Sequence, residues 1–313
     1  MPKKAIASVH YPISKRDSSH RAGWARIWAD ILDADILHCS ESYENYDTVF
    51  LYHGMEFNGS LNLFGGAKDV THFKNFLNAD TQFISLDVDM PDFGSIGKQR
   101  LTSCSEDWKQ FPWDELSDKC NKITPMKMSM LTSEKLIIGD SHANAMYVKD
   151  SIVNRNDGQT LYGALKKGLK SFIIGHGVKD LTFYFGNIDI RHHLCNYESD
   201  NLSTLLLEYE RQLLDISANY SISIVAPMYI ENESRKIPKT GWHNKKPFTG
   251  DWDSRDIMRA AMTGHLSDMC IRNKWDFIKH PDFIKNSLGE LSEDFMEKPQ
   301  SVHISPKYYR RWL

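Results

Sequence analysis

The sequence predicts an α/β protein in which alternating strands and helices build parallel sheets. Short apolar runs recur along the chain and are separated by segments of helix length, the pattern of parallel strands joined by crossover helices. With 313 residues, 41% of them hydrophobic, the chain is long enough for two ordinary α/β domains. The pattern weakens in a polar stretch at 96–131. We therefore expect an N-terminal domain at 1–95, a connecting segment at 96–131 and a C-terminal domain at 132–313.

Composition and charge exclude several classes of protein. The 38 basic and 41 acidic residues give a net charge of −3, so the chain has no overall basic footprint for nucleic acid. No apolar run approaches the roughly 20 residues of a membrane span, and the first apolar stretch is too short for a signal peptide. The five cysteines are scattered without a C-x-x-C pair, which favours free thiols over a zinc site. We expect a cytoplasmic protein with no cofactor, no metal and no membrane partner.

The N-terminal part predicts a Rossmann-like domain. Strands are expected at 5–10, 35–39, 47–52 and 81–88, and helices at 21–32 and 72–77. Trp24 and Trp28 share one face of the first helix, and this spacing is more typical of core side chains than of a base-stacking platform.

The C-terminal part continues the alternation. Strands are expected at 134–138, 172–174, 181–185, 221–226 and 275–278, and amphipathic helices at 202–217 and 255–271. The adjacent His192 and His193 point in different directions, so a packed or solvated pair is favoured over a metal site. Four lysines at 236–246 surround Trp242 in a polar segment, which is either a solvated loop or a flap over a substrate.

The stretch IIGDSHANAM at 137–146 is the strongest indication of chemistry. A buried strand leads through Gly139 and Asp140 to Ser141, and a helix is expected to start near His142. A serine between a strand and a helix gains nucleophilicity from its exposed backbone and from the N–H groups of the helix start. Taken alone, the tripeptide is a weak signal, and its structural alternative is an ordinary strand end with an Asp or Ser helix cap.

Three later segments make the C-terminal part resemble the SGNH/GDSL hydrolase family. They are QTLYGAL, in which Gly163 is expected in a turn, FYFGNIDIRHHL around Asn187, and SVHISPKYY around His303. The resemblance covers about 135–313 and implies an SGNH-type, flavodoxin-like, three-layer parallel-sheet domain. It implies Ser141 as nucleophile and His303 as general base. The N–H groups of Ser141 and Gly163 and the amide of Asn187 would form an oxyanion hole.

One position departs from the family pattern. The family has an aspartate three residues before the histidine, and this chain has Gln300 there. A neutral side chain cannot stabilise the imidazolium, so three alternatives are open. Another acid, Asp294 or Glu297, or a backbone carbonyl orients His303; or the site is a weak dyad; or the fold has been reused without hydrolysis. Asp189 and Arg191 are expected to pair structurally.

The N-terminal part resembles, over about 45–93, the T-even phage DNA β-glucosyltransferases. The residues involved are NLFGG at 62–66 and ISLDVDMP at 84–91. The resemblance implies Asp87 as a catalytic base and Gly65–Gly66 as a turn that lets the backbone approach a ligand. The structural alternative is an ordinary acidic residue at the end of a parallel strand, and it is favoured.

These observations predict a serine esterase or O-acyl hydrolase acting on a modified carbohydrate or a similar small ester. The first alternative is a glycosyltransferase-like enzyme, with nucleic acid as a partner if it modifies phage DNA. The second is a binding protein built on a hydrolase fold that has lost its activity.

Overall fold

The computed structural model describes residues 2–8, 20–37, 42–52, 71–87, 109–196, 200–233 and 248–309. The chain forms two compact units, with the boundary between Met130 and Leu131. The predicted turn at Gly65–Gly66 and the lysine-rich segment at 236–246 lie outside the described residues.

The first unit contains a five-stranded, fully parallel sheet. Its elements are β1 (Lys4–Ser8), α1 (His20–Leu32), β2 (Asp35–Leu37), β3 (Thr48–Tyr52), α2 (Thr71–Asn78), β4 (Gln82–Leu86), α3 (Trp113–Cys120) and β5 (Thr124–Met126). The strand order is β2-β1-β3-β4-β5. This 2-1-3-4-5 order is that of flavodoxin-like sheets, whereas the Rossmann order begins 3-2-1-4. The parallel α/β class is therefore confirmed, and the described strands follow the flavodoxin-like variant.

Aromatic side chains fill the core of the first unit. Tyr43, Phe76 and Phe83 contact one another edge to face, with ring centroids 4.7–6.4 Å apart. Trp28 is fully buried, as its helical spacing predicts. Of the expected connecting segment at 96–131, the described residues 109–130 belong to this unit, because β5 pairs with β4 and Trp113 of α3 lies in the same core.

The second unit contains another five-stranded parallel sheet. Its elements are β6 (Lys135–Gly139), β7 (Ser151–Arg155), α4 (Leu161–Lys167), β8 (Asp180–Tyr184), α5 (Asn187–His192), α6 (Asp200–Ser217), β9 (Ser221–Val225), α7 (Trp252–Asn273) and β10 (Asp276–Ile278). The order β7-β6-β8-β9-β10 again follows the flavodoxin-like pattern that the sequence predicts. Strands buried on both faces explain the continuous apolar runs, such as Leu136–Ile138.

Three local predictions for this unit are wrong. The segment expected as a strand at 172–174 begins in a 3-10 helix, Leu169–Phe172, and the strand that the sequence did not predict is β7, which pairs with β6. Gly163, expected in a turn, lies inside α4. The helix expected after Ser141 is a single 3-10 turn, Ala143–Met146.

No described helix is long and apolar enough to cross a membrane.

Candidate active site

Ser141 lies directly beyond the carboxyl end of β6, beside the ends of β7 and β8. The backbone there is packed so tightly against β8 that a Cβ atom on Gly139 would lie 2.3 Å from the carbonyl oxygen of Tyr184. The Asp140 N–H donates to the same oxygen at 3.1 Å. Glycine is therefore required before Asp140, and this close packing fixes the turn that presents Ser141.

The structure brings His303 to Ser141, although 162 positions separate them in the chain. The distance between His303 Nε2 and Ser141 Oγ is 2.8 Å, which is within hydrogen-bonding reach. The histidine belongs to a C-terminal segment that folds back on itself, with an antiparallel bridge between Met296 and Ile304. The Glu297 N–H donates to the carbonyl of His303 at 2.9 Å and closes this turn.

Glu297 is the acid that faces the histidine. Its Oε1 lies 3.4 Å from His303 Nδ1 and accepts a hydrogen bond from Ser301 Oγ at 2.8 Å. The side chain of Glu297 is only 2% exposed, so its charge acts in a low-dielectric surrounding. Gln300, at the position of the family aspartate, adopts a left-handed φ of 63° within the turn. Of the two acids considered from the sequence, it is Glu297 that lies at the imidazole.

Asn187 and Gly163 differ in what they can offer an oxyanion. The Gly163 N–H donates to Thr160 Oγ1 at 2.9 Å and so caps α4. Asn187 is fully buried; its Oδ1 accepts from the Met228 N–H at 2.8 Å and its Nδ2 donates to Asp140 at 3.2 Å. Asn187 therefore lies against the turn at Ser141, where its amide donates to Asp140, whereas the N–H of Gly163 donates to Thr160 at the start of α4.

Asp189 and Arg191 do not pair with each other, contrary to expectation. Arg191 forms a buried bidentate ion pair with Glu231, with N–O distances of 2.7–3.1 Å. Asp189 accepts the N–H groups of Leu161 and Tyr162 at 2.7 and 3.2 Å. Burial raises the pKa of Asp189 to about 6 against the opposing effect of these hydrogen bonds.

A cleft of about 930 Å³ opens between α4, α5 and α6. Its lining combines apolar side chains with hydrogen-bonding groups: Gly158, Gln159, Thr160, Tyr162, Leu165, Lys166, Asp189, His193, Leu194, Asn201, Thr204, Leu205 and Glu208. The loop that follows β7 supplies Gly158 and Thr160. This loop is joined to the Ser141 turn, because the Asn156 N–H donates to the carbonyl of Gly139 at 2.9 Å.

The carboxylate of Asp87, the candidate base of the first unit, is hydrogen-bonded to residues of that same unit. Its carboxylate accepts the Trp28 indole N–H and the Met128 N–H, each at 3.0 Å. Its backbone has a left-handed φ of 65°. Burial raises the pKa of Asp87 in spite of these hydrogen bonds. Both carboxylate oxygens thus have structural partners, an arrangement that accounts for an acidic residue at this strand end without a ligand.

No family model and no curated protein matches the chain. Similar solved structures include a GDSL-like lipase from Bacteroides thetaiotaomicron, at 13% identity and a TM-score of 0.41, covering 56% of this chain and 82% of that one. An acetyl xylan esterase from Geobacillus stearothermophilus is 16% identical with a TM-score of 0.37, covering 58% and 91%. Another acetyl xylan esterase is 12% identical with a TM-score of 0.39, covering 56% and 94%. Similarity at this level carries no information about substrate.

Proposed function

We propose that the protein is a serine ester hydrolase with Ser141 as nucleophile, His303 as general base and Glu297 as the acid that supports it. The observation that carries the proposal is the chain of contacts from Ser141 Oγ to His303 Nε2 at 2.8 Å and from His303 Nδ1 to Glu297 at 3.4 Å. A hydroxyl, an imidazole and a carboxylate in this order form the arrangement by which several unrelated folds activate a serine.

The proposed reaction has two halves. Ser141 Oγ attacks the ester carbonyl while His303 Nε2 takes the hydroxyl proton, and the negative charge of Glu297 stabilises the imidazolium. The imidazolium then gives the proton to the leaving alcohol as the C–O bond breaks, and an acyl-serine remains. Water attacks this acyl group with His303 again as base, which releases the carboxylic acid and restores the serine.

We propose a small acyl ester of a carbohydrate as the substrate. The cleft between α4, α5 and α6, whose lining includes neither Ser141 nor His303, is the basis of this choice, because Gln159, Thr204 and Glu208 line it beside the aromatic ring of Tyr162. Polar groups of this kind match sugar hydroxyls, and an exposed aromatic side chain covers the apolar face of a sugar ring.

The experiment that tests the function is labelling with a fluorophosphonate together with hydrolysis of p-nitrophenyl acetate. We expect wild type to react in both assays and Ser141→Ala to lose both. Ser171→Ala is the matched control, because Ser171 is exposed and its hydroxyl bonds only the nearby carbonyl of Gly168. Equal labelling of wild type and Ser141→Ala, with unchanged melting temperatures, would refute the proposal.

A further inference from the structure

His142 is buried next to the nucleophile, and both of its ring nitrogens face hydrogen-bond acceptors. Nδ1 lies 2.8 Å from Asp140 Oδ1, and Nε2 lies 3.1 Å from the backbone carbonyl oxygen of Val302. A carbonyl oxygen can only accept, so Nε2 must carry a hydrogen. The proton between Nδ1 and Asp140 therefore decides whether the ring is neutral or an imidazolium.

Asp140 is surrounded by groups that favour its ionised form. Its oxygens receive the His142 N–H at 2.9 Å, His142 Nδ1 at 2.8 Å and the Asn187 amide at 3.2 Å. Burial of this fully enclosed carboxyl acts to raise its pKa, but the charge of His142 and these hydrogen bonds lower it overall. A carboxylate that accepts at both oxygens leaves the shared proton on the imidazole.

We propose that Asp140 and His142 form a buried ion pair that positions the general base. The charged His142 donates a hydrogen bond to the carbonyl of Val302, and Ser141 is hydrogen-bonded to His303. Two consecutive residues after β6 thus bind two consecutive residues of the C-terminal segment. His142 is a positioning residue in this account, since it acts through the backbone of its neighbour. The positioning role rests on the proposed esterase function, whereas the ion pair itself does not.

The charge of His142 also bears on His303 directly. The two imidazole rings lie 4.8 Å apart, centroid to centroid, at an angle of 43°. A cation at His142 opposes protonation of His303, and the carboxylate of Glu297 on the other side favours it. The cation at His142 thereby offsets part of the stabilisation that Glu297 gives to a protonated His303.

The other ionisable groups described near His142 add no charge to those that act on His303. Tyr184 of β8 lies with its ring 6.0 Å from that of His142, and burial raises the pKa of its hydroxyl well above the ordinary value. His280, which bonds the Tyr184 hydroxyl, has its pKa lowered to about 3 by burial. Both are therefore neutral at pH 7, and the net charge next to His303 comes from Asp140, His142 and Glu297.

The first test is nuclear magnetic resonance of the full chain labelled with ¹⁵N in its histidines. We expect His142, assigned by the loss of its signals in His142→Gln, to have both ring nitrogens protonated when Asp140 is present. Asp140→Asn, recorded at the same pH, should convert it to a neutral ring. A neutral His142 in the wild type, with the same ring signals as in Asp140→Asn, would overturn the ion pair.

The same spectra test positioning without any need for activity. We expect His142→Gln to shift the Nε2 resonance of His303, because the hydrogen bond to Ser141 is weakened. The matched control His176→Gln, at an exposed histidine of the same unit, should leave it unchanged. An unchanged His303 resonance in a folded His142→Gln would overturn the positioning role, and Asp140→Asn answers the same question if His142→Gln does not fold.

The kinetic test compares hydrolysis rates over a range of pH. We expect His142→Gln to lower kcat by about a hundredfold with little change in KM, and to move the acid limb of the profile upward by about one pH unit, since a positive charge has been removed near the base. A lower rate with an unmoved profile would mean a purely structural role and would overturn the proposal. A wild type without hydrolysis would refute the esterase function, and the spectra would still decide the ion pair.

Discussion

Replacing Glu297 by glutamine tests whether this carboxylate stabilises the imidazolium of His303, as the aspartate does in SGNH/GDSL hydrolases. The amide has the same shape and keeps an oxygen for the Ser301 hydroxyl, but it removes the negative charge that faces His303. At a separation near 4 Å and an effective dielectric constant of about 20, that charge stabilises an imidazolium by about 4 kcal/mol. This energy corresponds to about a thousandfold in kcat, somewhat less than the roughly 10⁴ of a serine protease triad, in keeping with the long 3.4 Å contact.

The assay is kcat for a small acetyl ester, measured in wild type and in three variants. We expect Glu297→Gln to lose about a thousandfold, and Asp294→Asn and Gln300→Asp to stay near the wild-type rate. Gln300→Asp is conformationally acceptable, because aspartate tolerates the left-handed φ of 63° at this position. Melting temperatures separate catalytic loss from unfolding.

Two outcomes would refute this reasoning. A folded Glu297→Gln that keeps more than a tenth of the wild-type rate would show that the carboxylate does not stabilise the imidazolium. A clear gain of activity in Gln300→Asp would show that the site lacks an acid and that His303 works in a weakened dyad.

Three further predictions concern stability. Gly139→Ala should cost about 1–3 kcal/mol or prevent folding, measured by urea unfolding, because its Cβ would overlap the backbone oxygen of Tyr184 at 2.3 Å; unchanged stability would contradict the close packing of β6 on β8. Burial raises the pKa of Asp189 from its ordinary value of 3.8 to about 6, so its contribution to the free energy of unfolding is fully present below pH 4 and falls by about 3 kcal/mol as pH rises through 6. Asp189→Asn should remove that part of the pH dependence in unfolding experiments at pH 4.5 and 7, and an identical slope in both proteins would oppose the assignment. Arg191→Met should lower the free energy of unfolding by about 3–5 kcal/mol, because it leaves Glu231 buried without its ion pair. The double variant Arg191→Met with Glu231→Leu should recover most of this loss. A single variant as stable as the double variant would show that the charge of Glu231 is not buried.

Periodicity made most of the fold predictable. Strand β6 contains a continuous apolar run, β8 and β9 combine alternating polar and apolar residues with an apolar end, and α6 repeats leucines at helical spacing, so local pattern and tertiary burial agree there. The strand β7, with the sequence SIVNR, lies at the sheet edge and ends in polar residues, so it has no comparable signal. The serine and histidine were visible as motif residues.

The acid of the site was harder to predict for a physical reason. A carboxylate reaches an imidazole through space, and the number of residues between them depends on the turn that joins them. Here the bridge between Met296 and Ile304 places Glu297, six positions before His303, opposite the ring. The hydrogen bond from the Gly163 N–H to Thr160 likewise depends on the residue at which α4 begins. The sequence predicts such a helix start only to within a few residues.

The position of His303 along the chain has a consequence for biosynthesis. Ribosomes add residues from the N-terminus, and domains begin to fold as they emerge. All five strands of the second sheet are complete at Ile278, while the segment from Glu297 to His303 is made later. A nascent chain that has already folded around Ser141 is therefore expected to lack the proposed base, His303. The proposed hydrolysis would then begin only when the last segment has been made and has docked.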